Sequence, residues 1–338
     1  MSILRTIKNR RPDRAANRTG DNRMTIDADL LAYYAKVATA FPELPADAGP
    51  IAIRRQFQDV AREFAAPRPA GVDVEDTVLP LDGRTLRARV YRPAGARKPL
   101  PLVVYLHGGG WVVGDLDTHD LMVARFAADS HCAVVSVDYR MAPEHPFPVP
   151  VEDALDALLW LAEHRSRLGF ATNRLGVAGD SAGGHLAAVA ARAANDRVAG
   201  LVTAQLLIYP VARCRFEGGS FTANAEGPGL STDEMRFYWA QFLTAEPPAD
   251  DDVRAFPLAQ SYDRTPAQAL IVAAAYDPLY DDAHEFARFL EANGGRTEVI
   301  DAHDMTHGFG RIQAHSKAAA AWMKKTSARF GELLHAAR

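Results

Sequence analysis

Hydrophobic positions recur at helical spacing near the start of the chain and at strand spacing soon afterwards. Between Ala28 and Phe64, Leu30, Leu31, Tyr34 and Val37 fall on one helical face, a Pro-broken turn follows, and Ile51 to Phe64 resumes the helical pattern. Val72 to Pro80 and Thr85 to Tyr91 read as strands that meet at Asp82-Gly83, a pair that favours a hairpin turn. Beyond this point strand and helix alternate. Leu102 to Leu106, Val134 to Val137 and Leu175 to Ala178 are short, apolar and rich in β-branched residues, as strands buried on both faces are. Helical stretches at Val151 to His164 and His185 to Ala194 are interleaved with them. Further strands are expected at Leu206 to Tyr209, Ala269 to Ala273 and Thr297 to Ile300, with a C-terminal helix from about His315.

This alternation predicts an α/β fold with a mostly parallel central sheet flanked by helices. One stretch, 213–257, breaks the rhythm. It is rich in Gly, Pro and aromatics, has a helix-like centre near Thr232 to Leu243, and falls between two strands. An insertion over the ligand-binding edge of the sheet is its expected role, because open α/β sheets bind ligands beyond the carboxyl ends of their strands.

Composition narrows the function classes. With 48% hydrophobic and 24% charged residues, the 338-residue chain is not a disordered one. No repeat or linker divides it, so residues 24–338 are expected to form a single domain. The net charge of -4 offers no electrostatic footprint for nucleic acid. No segment reaches the ~20 apolar residues of a membrane span, so no stable membrane insertion is expected. The longest apolar run, Val198 to Val211, is broken by Thr203 and Gln205 and reads as a buried strand. Cys132 and Cys214 are too few for a disulfide framework, and Cys132 reads as a small buried thiol. Residues 1–23 are Arg-rich and read as a disordered tail or a mis-called start ahead of Met24. No apolar stretch follows their charges, which disfavours a secretory signal and leaves a cytoplasmic protein as the expectation.

The chemistry concentrates in four places. Gly179-Asp180-Ser181-Ala182-Gly183 fits Gly-x-Ser-x-Gly directly after a predicted strand and directly before a predicted helix. That is the setting of a nucleophile elbow, where a serine on a strained turn needs small neighbours. His107-Gly108-Gly109-Gly110 follows another strand. Such a glycine run lets backbone N–H groups approach the negative oxygen of a tetrahedral intermediate, and the N–H of Ala182 would complete the hole. A phosphate-binding loop is excluded because no Lys and Ser/Thr follow at the required spacing. An acid and a base should come later, in that order. Asp277 lies just beyond the strand Ala269 to Ala273, and His307 lies between the strand Thr297 to Ile300 and the last helix. Asp281 and Asp282 are rival acids but fall in the following helix, and His303 is a rival base. His303, Asp304 and His307 do not suggest a metal site, because the glycines at 308 and 310 indicate a loop and no Glu partner is evident.

Taken together, HGGGW at His107–Trp111, VDYRMAPEHPFP at Val137–Pro148, GDSAGG at Gly179–Gly184, Asp277-Pro278-Leu279 and His307-Gly308-Phe309 resemble the hormone-sensitive-lipase-like family of bacterial carboxylesterases. The resemblance runs from about Ala28 to the last helix. It implies an α/β-hydrolase fold with a helical cap, here from about 24–65 and 213–257. It also implies Ser181, Asp277 and His307 as triad, with Gly109, Gly110 and Ala182 supplying the oxyanion N–H groups. The implied activity is hydrolysis of small carboxylic esters of short to medium acyl chain, by a monomer or homodimer and without metal or organic cofactor. An amidase, arylformamidase or acyltransferase would use the same machinery, whereas a non-catalytic receptor on this fold would lack the histidine. Two departures stand out: Tyr280-Asp281-Asp282 where the family commonly has Arg-Asp-Glu, and His185 where Asn often follows the elbow.

Overall fold

The computed structural model describes residues 25–45, 47–96, 99–243 and 248–336, so the tail expected at 1–23 lies outside the described residues. Eight strands form one sheet in the order β1-β2-β4-β3-β5-β6-β7-β8. They are β1 (Val72–Leu81), β2 (Arg84–Pro93), β3 (Leu100–Leu106), β4 (Ala133–Asp138), β5 (Phe170–Asp180), β6 (Ala204–Ile208), β7 (Gln268–Tyr276) and β8 (Thr297–Thr306). The hairpin β1–β2 turns at Asp82-Gly83 as expected and pairs antiparallel with β4; every later pairing is parallel.

Strand periodicity explains the layers. Along β3, Leu102, Val104 and Leu106 enter one buried cluster while Val103 and Tyr105 enter the other. Along β7, Ala269, Ile271 and Ala273 face one way and Leu270, Val272 and Ala274 the other. A strand apolar at every position must be covered on both faces. Helices α3 (Asp120–Ser130) and α9 (Lys317–Ala336) cover one face; α4 (Val149–His164), α5 (Ala182–Arg197) and α8 (Tyr280–Ala292) cover the other. The result is an α/β-hydrolase fold.

Helices α1 (Ala28–Ala40) and α2 (Pro50–Glu63) precede the sheet, and α6 (Gly219–Ala223) and α7 (Thr232–Phe242) lie inside the segment 213–257. On α1 the buried positions are Leu30, Tyr34 and Val37, but Leu31 is 46% exposed. Its neighbour Leu30 already fills the helix–core contact, and adjacent helical residues point about 100° apart. The segment 198–211 also departs from expectation: only 204–208 is strand, and Val198 is 54% exposed at the end of α5. Strand β8 runs to Thr306, six residues past the expected end, so His303 and Asp304 lie in a strand. The Asp304 carboxylate accepts from the Trp322 indole of α9 at 2.8 Å, and the His303 ring meets that indole edge-on.

The long insertion is fastened at several points. Asp282 on α8 accepts from Arg213 at 3.0 Å and from the Ala212 N–H at 3.0 Å. Asp281 accepts from the Ser220 N–H at 2.8 Å. His185 on α5 donates Nε2–H to the Ala255 carbonyl at 3.1 Å, with its ring edge-on to Trp111, Trp239 and Phe242. Among the described residues, no helix is long and apolar enough to cross a membrane.

Burial lowers the pKa of His185 from 6.5 to about 4, because the charged ring would sit among aromatics with one carbonyl to answer it. Folding therefore excludes a proton from this ring. The contribution is complete above the unfolded value and is lost as pH falls from about 6.5 through about 4, on the order of 3 kcal/mol. His185→Asn, which keeps a donor for Ala255, should flatten the decline of melting temperature between neutral pH and pH 4; unchanged slopes would contradict this account.

Candidate active site

Ser181 terminates β5 and opens α5, with φ 55 and ψ -120. Positive φ is strained for a side-chain-bearing residue and persists only where the surroundings dictate it. Here they do. The Ser181 N–H donates to the Ile208 carbonyl at 2.8 Å, and its own carbonyl accepts from His185 N–H at 3.1 Å. The turn also presses on β3: a Cβ at Gly183 would collide with the carbonyls of Leu106 and His107, so only glycine admits this approach.

The His307 ring bridges two partners. Its Nδ1–H donates to Asp277 Oδ2 at 2.6 Å, since an ionised carboxylate can only accept, and Nε2 accepts from the Ser181 hydroxyl at 2.9 Å. Asp277 is fully buried just past β7, and its second oxygen accepts from the Leu279 N–H at 2.8 Å. Asn224, at the end of α6, donates to the carbonyls of Ala275 and Asp277 at 3.1 and 3.0 Å and so splints the acid-bearing turn. Helix α1 holds the histidine loop: the Tyr34 hydroxyl hydrogen-bonds Thr306 Oγ1 at 2.8 Å and donates to the His307 carbonyl at 3.3 Å. The structure thus brings Ser181, Asp277 and His307 into one hydrogen-bonded chain. The rivals are elsewhere: Asp281 and Asp282 anchor the insertion, and His303 faces α9.

The loop after β3 is pinned to the elbow by Asp180. Its buried Oδ1 accepts from the Tyr105 hydroxyl at 2.8 Å and from the Gly108 N–H at 2.9 Å, and His119 Nε2 stands 3.4 Å from Oδ2. Burial raises the Asp180 pKa, but His119, Tyr105 and the more distant Arg311 outweigh it and hold the carboxyl well below the usual range. Tyr139 secures the loop from the other side by donating to the His107 carbonyl at 2.7 Å. From α2, Arg54 donates to the carbonyls of Val112 at 2.7 Å and Ala142 at 2.9 Å while pairing with Glu144. Among the described residues, none accepts from the N–H groups of Gly109, Gly110 or Ala182. Ala182 begins α5, where an N–H has no partner within the helix. Gly110, at φ +58, lies against the Tyr238 ring where a Cβ has no room.

One cleft takes in Gly109, Gly110, Ser181 and His307, walled by side chains of α1, α2 and α7. Tyr34 and Tyr238 are among its aromatic lining residues. Trp111 instead stacks on Phe242 with ring centres 4.2 Å apart, in the core with Trp239. Tyr33, Phe57, Glu234 and Arg311 line the cleft without having been singled out by the sequence. Glu234 carried one available signal, the Ser231-x-x-Glu234 capping box, which closes with both reciprocal bonds.

Removing the Asp180 carboxylate would strand a tyrosine hydroxyl and a backbone N–H in the interior. Asp180→Ala should therefore lower the unfolding free energy in urea by about 3 kcal/mol or more. Asp180→Asn, which keeps an acceptor, should lose less. Equal losses would mean that the space rather than the acceptor matters.

Known proteins share this sequence pattern and this fold. A family model described as alpha/beta hydrolase fold matches residues 103–311. The esterase LipI of Mycobacterium tuberculosis is 38% identical over 303 residues, covering 86% of this chain and 90% of its own. The ethyl acetate hydrolase of Pseudomonas putida is 36% identical over 298 residues, covering 86% and 93%. The crystal structure of a thermostable esterase from Pseudomonas putida ECU1011 superposes with a TM-score of 0.84 at 28% identity, covering 94% of this chain and 99% of that one. The chain belongs to the α/β-hydrolase-fold family, in the hormone-sensitive-lipase-like group whose motifs its sequence carries.

Proposed function

We propose that the protein hydrolyses small carboxylic esters through an acyl-serine intermediate formed on Ser181. The observation that carries this reading is the chain Asp277–His307–Ser181, with contacts of 2.6 and 2.9 Å, beside a glycine loop in which the N–H groups of Gly109 and Gly110 meet no acceptor among the described residues. The names of the relatives, esterase and ethyl acetate hydrolase, support the same reaction.

As Ser181 Oγ attacks the ester carbonyl, His307 Nε2 takes its proton. Asp277 holds the imidazole in the tautomer that leaves Nε2 free to accept, and it stabilises the imidazolium. The N–H groups of Gly109, Gly110 and Ala182 receive the carbonyl oxygen as it becomes negative, each worth roughly 3 to 4 kcal/mol to the barrier. His307 then protonates the departing alcohol, and water cleaves the acyl-serine by the same route. Helices α1, α2 and the segment 213–257 act as a cap that selects the ester. Tyr34 and Tyr238 narrow the cleft beside the serine, which suits short to medium acyl chains.

Ser181→Ala should abolish labelling by a fluorophosphonate and leave only the roughly 10³-fold acceleration that positioning and the oxyanion hole supply without a nucleophile. Retention of ester turnover within about tenfold of the native rate would exclude Ser181 as nucleophile. With the native enzyme, nitrophenyl butanoate should be cleaved faster than the palmitate; comparable turnover of a matched anilide would point to an amidase.

A further inference from the structure

The cleft contains a cation that the ester chemistry does not use. Arg311 closes the 3-10 turn Phe309–Arg311, four residues after His307. That turn is held rigidly, because Phe309 and Ile312 on either side of the arginine are buried in the core. The guanidinium therefore has a fixed origin close to the base.

Several other arginines of this protein with little exposed surface are spent on structure. Arg54 pairs with Glu144 and two carbonyls, Arg89 with three aspartates, and Arg140 with Asp153. Among the described residues, Arg311 has neither a carboxylate nor a carbonyl partner for its side chain. Its guanidinium carbon lies 4.3 Å from the centre of the Phe57 ring of α2. Stacking engages the face of a planar guanidinium and leaves its edges, which carry the N–H groups, free for an acceptor in the plane.

Among the described residues, Arg311 is the only basic residue lining the cleft apart from His307. Val37, Val60 and Val113 supply apolar wall around it, and in such surroundings a charge-assisted contact is stronger than in water. Glu234 shares the wall without pairing with Arg311, and its carboxylate is engaged by the N–H and hydroxyl of Ser231. Burial raises the Glu234 pKa, and the other lining carboxylate, Asp180, is engaged by Tyr105, the Gly108 N–H and His119, which leaves Arg311 as the lining charge without a hydrogen-bonded partner among the described residues.

We infer that Arg311 recognises a carboxylate on the substrate, so that the preferred esters carry a free acid group, as half-esters of dicarboxylic acids do. The inference rests on the ester hydrolysis proposed above. A carboxylate fits better than a phosphate: it matches the guanidinium edge with two parallel hydrogen bonds and brings one negative charge, whereas a dianion would need a second cation that the wall does not supply.

Two matched pairs test this and locate the acid group. Mono-nitrophenyl glutarate against nitrophenyl pentanoate places it on the acyl side; carboxyphenyl acetate against phenyl acetate places it on the alcohol side. The native enzyme should favour the charged member of at least one pair in kcat/KM. Arg311→Gln should lower that preference about tenfold or more, mainly through KM, and Arg311→Lys should recover part of it. A charged-to-neutral ratio that stays within about twofold of native in both pairs would overturn the inference. Calorimetry on the Ser181→Ala protein with monomethyl glutarate reads recognition without chemistry: heat of binding should appear and should vanish when Arg311→Gln is added. Binding that depends on Arg311, with none of the four esters cleaved, would uphold recognition and remove the ester reading. Ester cleavage with neither an Arg311-dependent ratio nor Arg311-dependent binding would do the reverse.

Discussion

The site is built on a backbone conformation that an isolated serine avoids. At φ 55 and ψ -120, Ser181 turns the chain from β5 into α5 within one residue, and this abrupt turn lifts its hydroxyl clear of the sheet. The strain persists because the flanking structure cannot relax. Strand β5 is hydrogen-bonded between β3 and β6, while α5 packs its small residues directly on the strand ends. Everything else in the cleft is arranged around the point this turn defines. His307 reaches it from the end of β8, Asp277 from the end of β7, and the glycine loop from the end of β3.

These contributions arrive from separate strand ends, and each is fixed by a buried polar contact rather than by packing alone. Asp180 ties the glycine loop to the elbow, Asn224 ties the insertion to the Asp277 turn, and Tyr34 ties α1 to the His307 loop. Apolar packing is tolerant of small slides, whereas a buried hydrogen bond loses its energy steeply with distance and angle. The site thereby gains positional accuracy that a wholly apolar setting would not give it.

What could be read in the sequence follows from how local each signal is. The elbow and the glycine loop are contiguous patterns and appear where the residues place them, as do most strand beginnings within two residues; β5 begins at Phe170, five residues before the expected Leu175. That Asp277 and His307 lie just beyond strand ends was legible because chain order constrains them. The extension of β8 to Thr306 was not, because Asp301, His303 and Asp304 break the apolar pattern while still continuing the ladder with β7 in part. Leu31 was misjudged because one helical face holds more apolar residues than the core has room to cover. The lining residues Tyr33, Phe57 and Arg311 carry no local signature, since only the packing of α1 and α2 against the histidine loop makes them neighbours. VDYRMAPEHPFP is informative as a motif, yet its charged residues are structural: Asp138 pairs with Arg87, Arg140 with Asp153 and Glu144 with Arg54.

The hydroxyl of Tyr34 bears on how this scaffold can be altered. Because it grips both Thr306 and the carbonyl of His307, the first helix is a bearing surface for His307 as well as a wall of the cleft. Exchange of that helix for a relative's, as a cassette meant to change only which molecules enter, would also loosen the imidazole unless a tyrosine and its threonine counterpart travelled together. Selectivity and turnover are mechanically geared at this residue, and either can be tuned freely only once the gear has been kept.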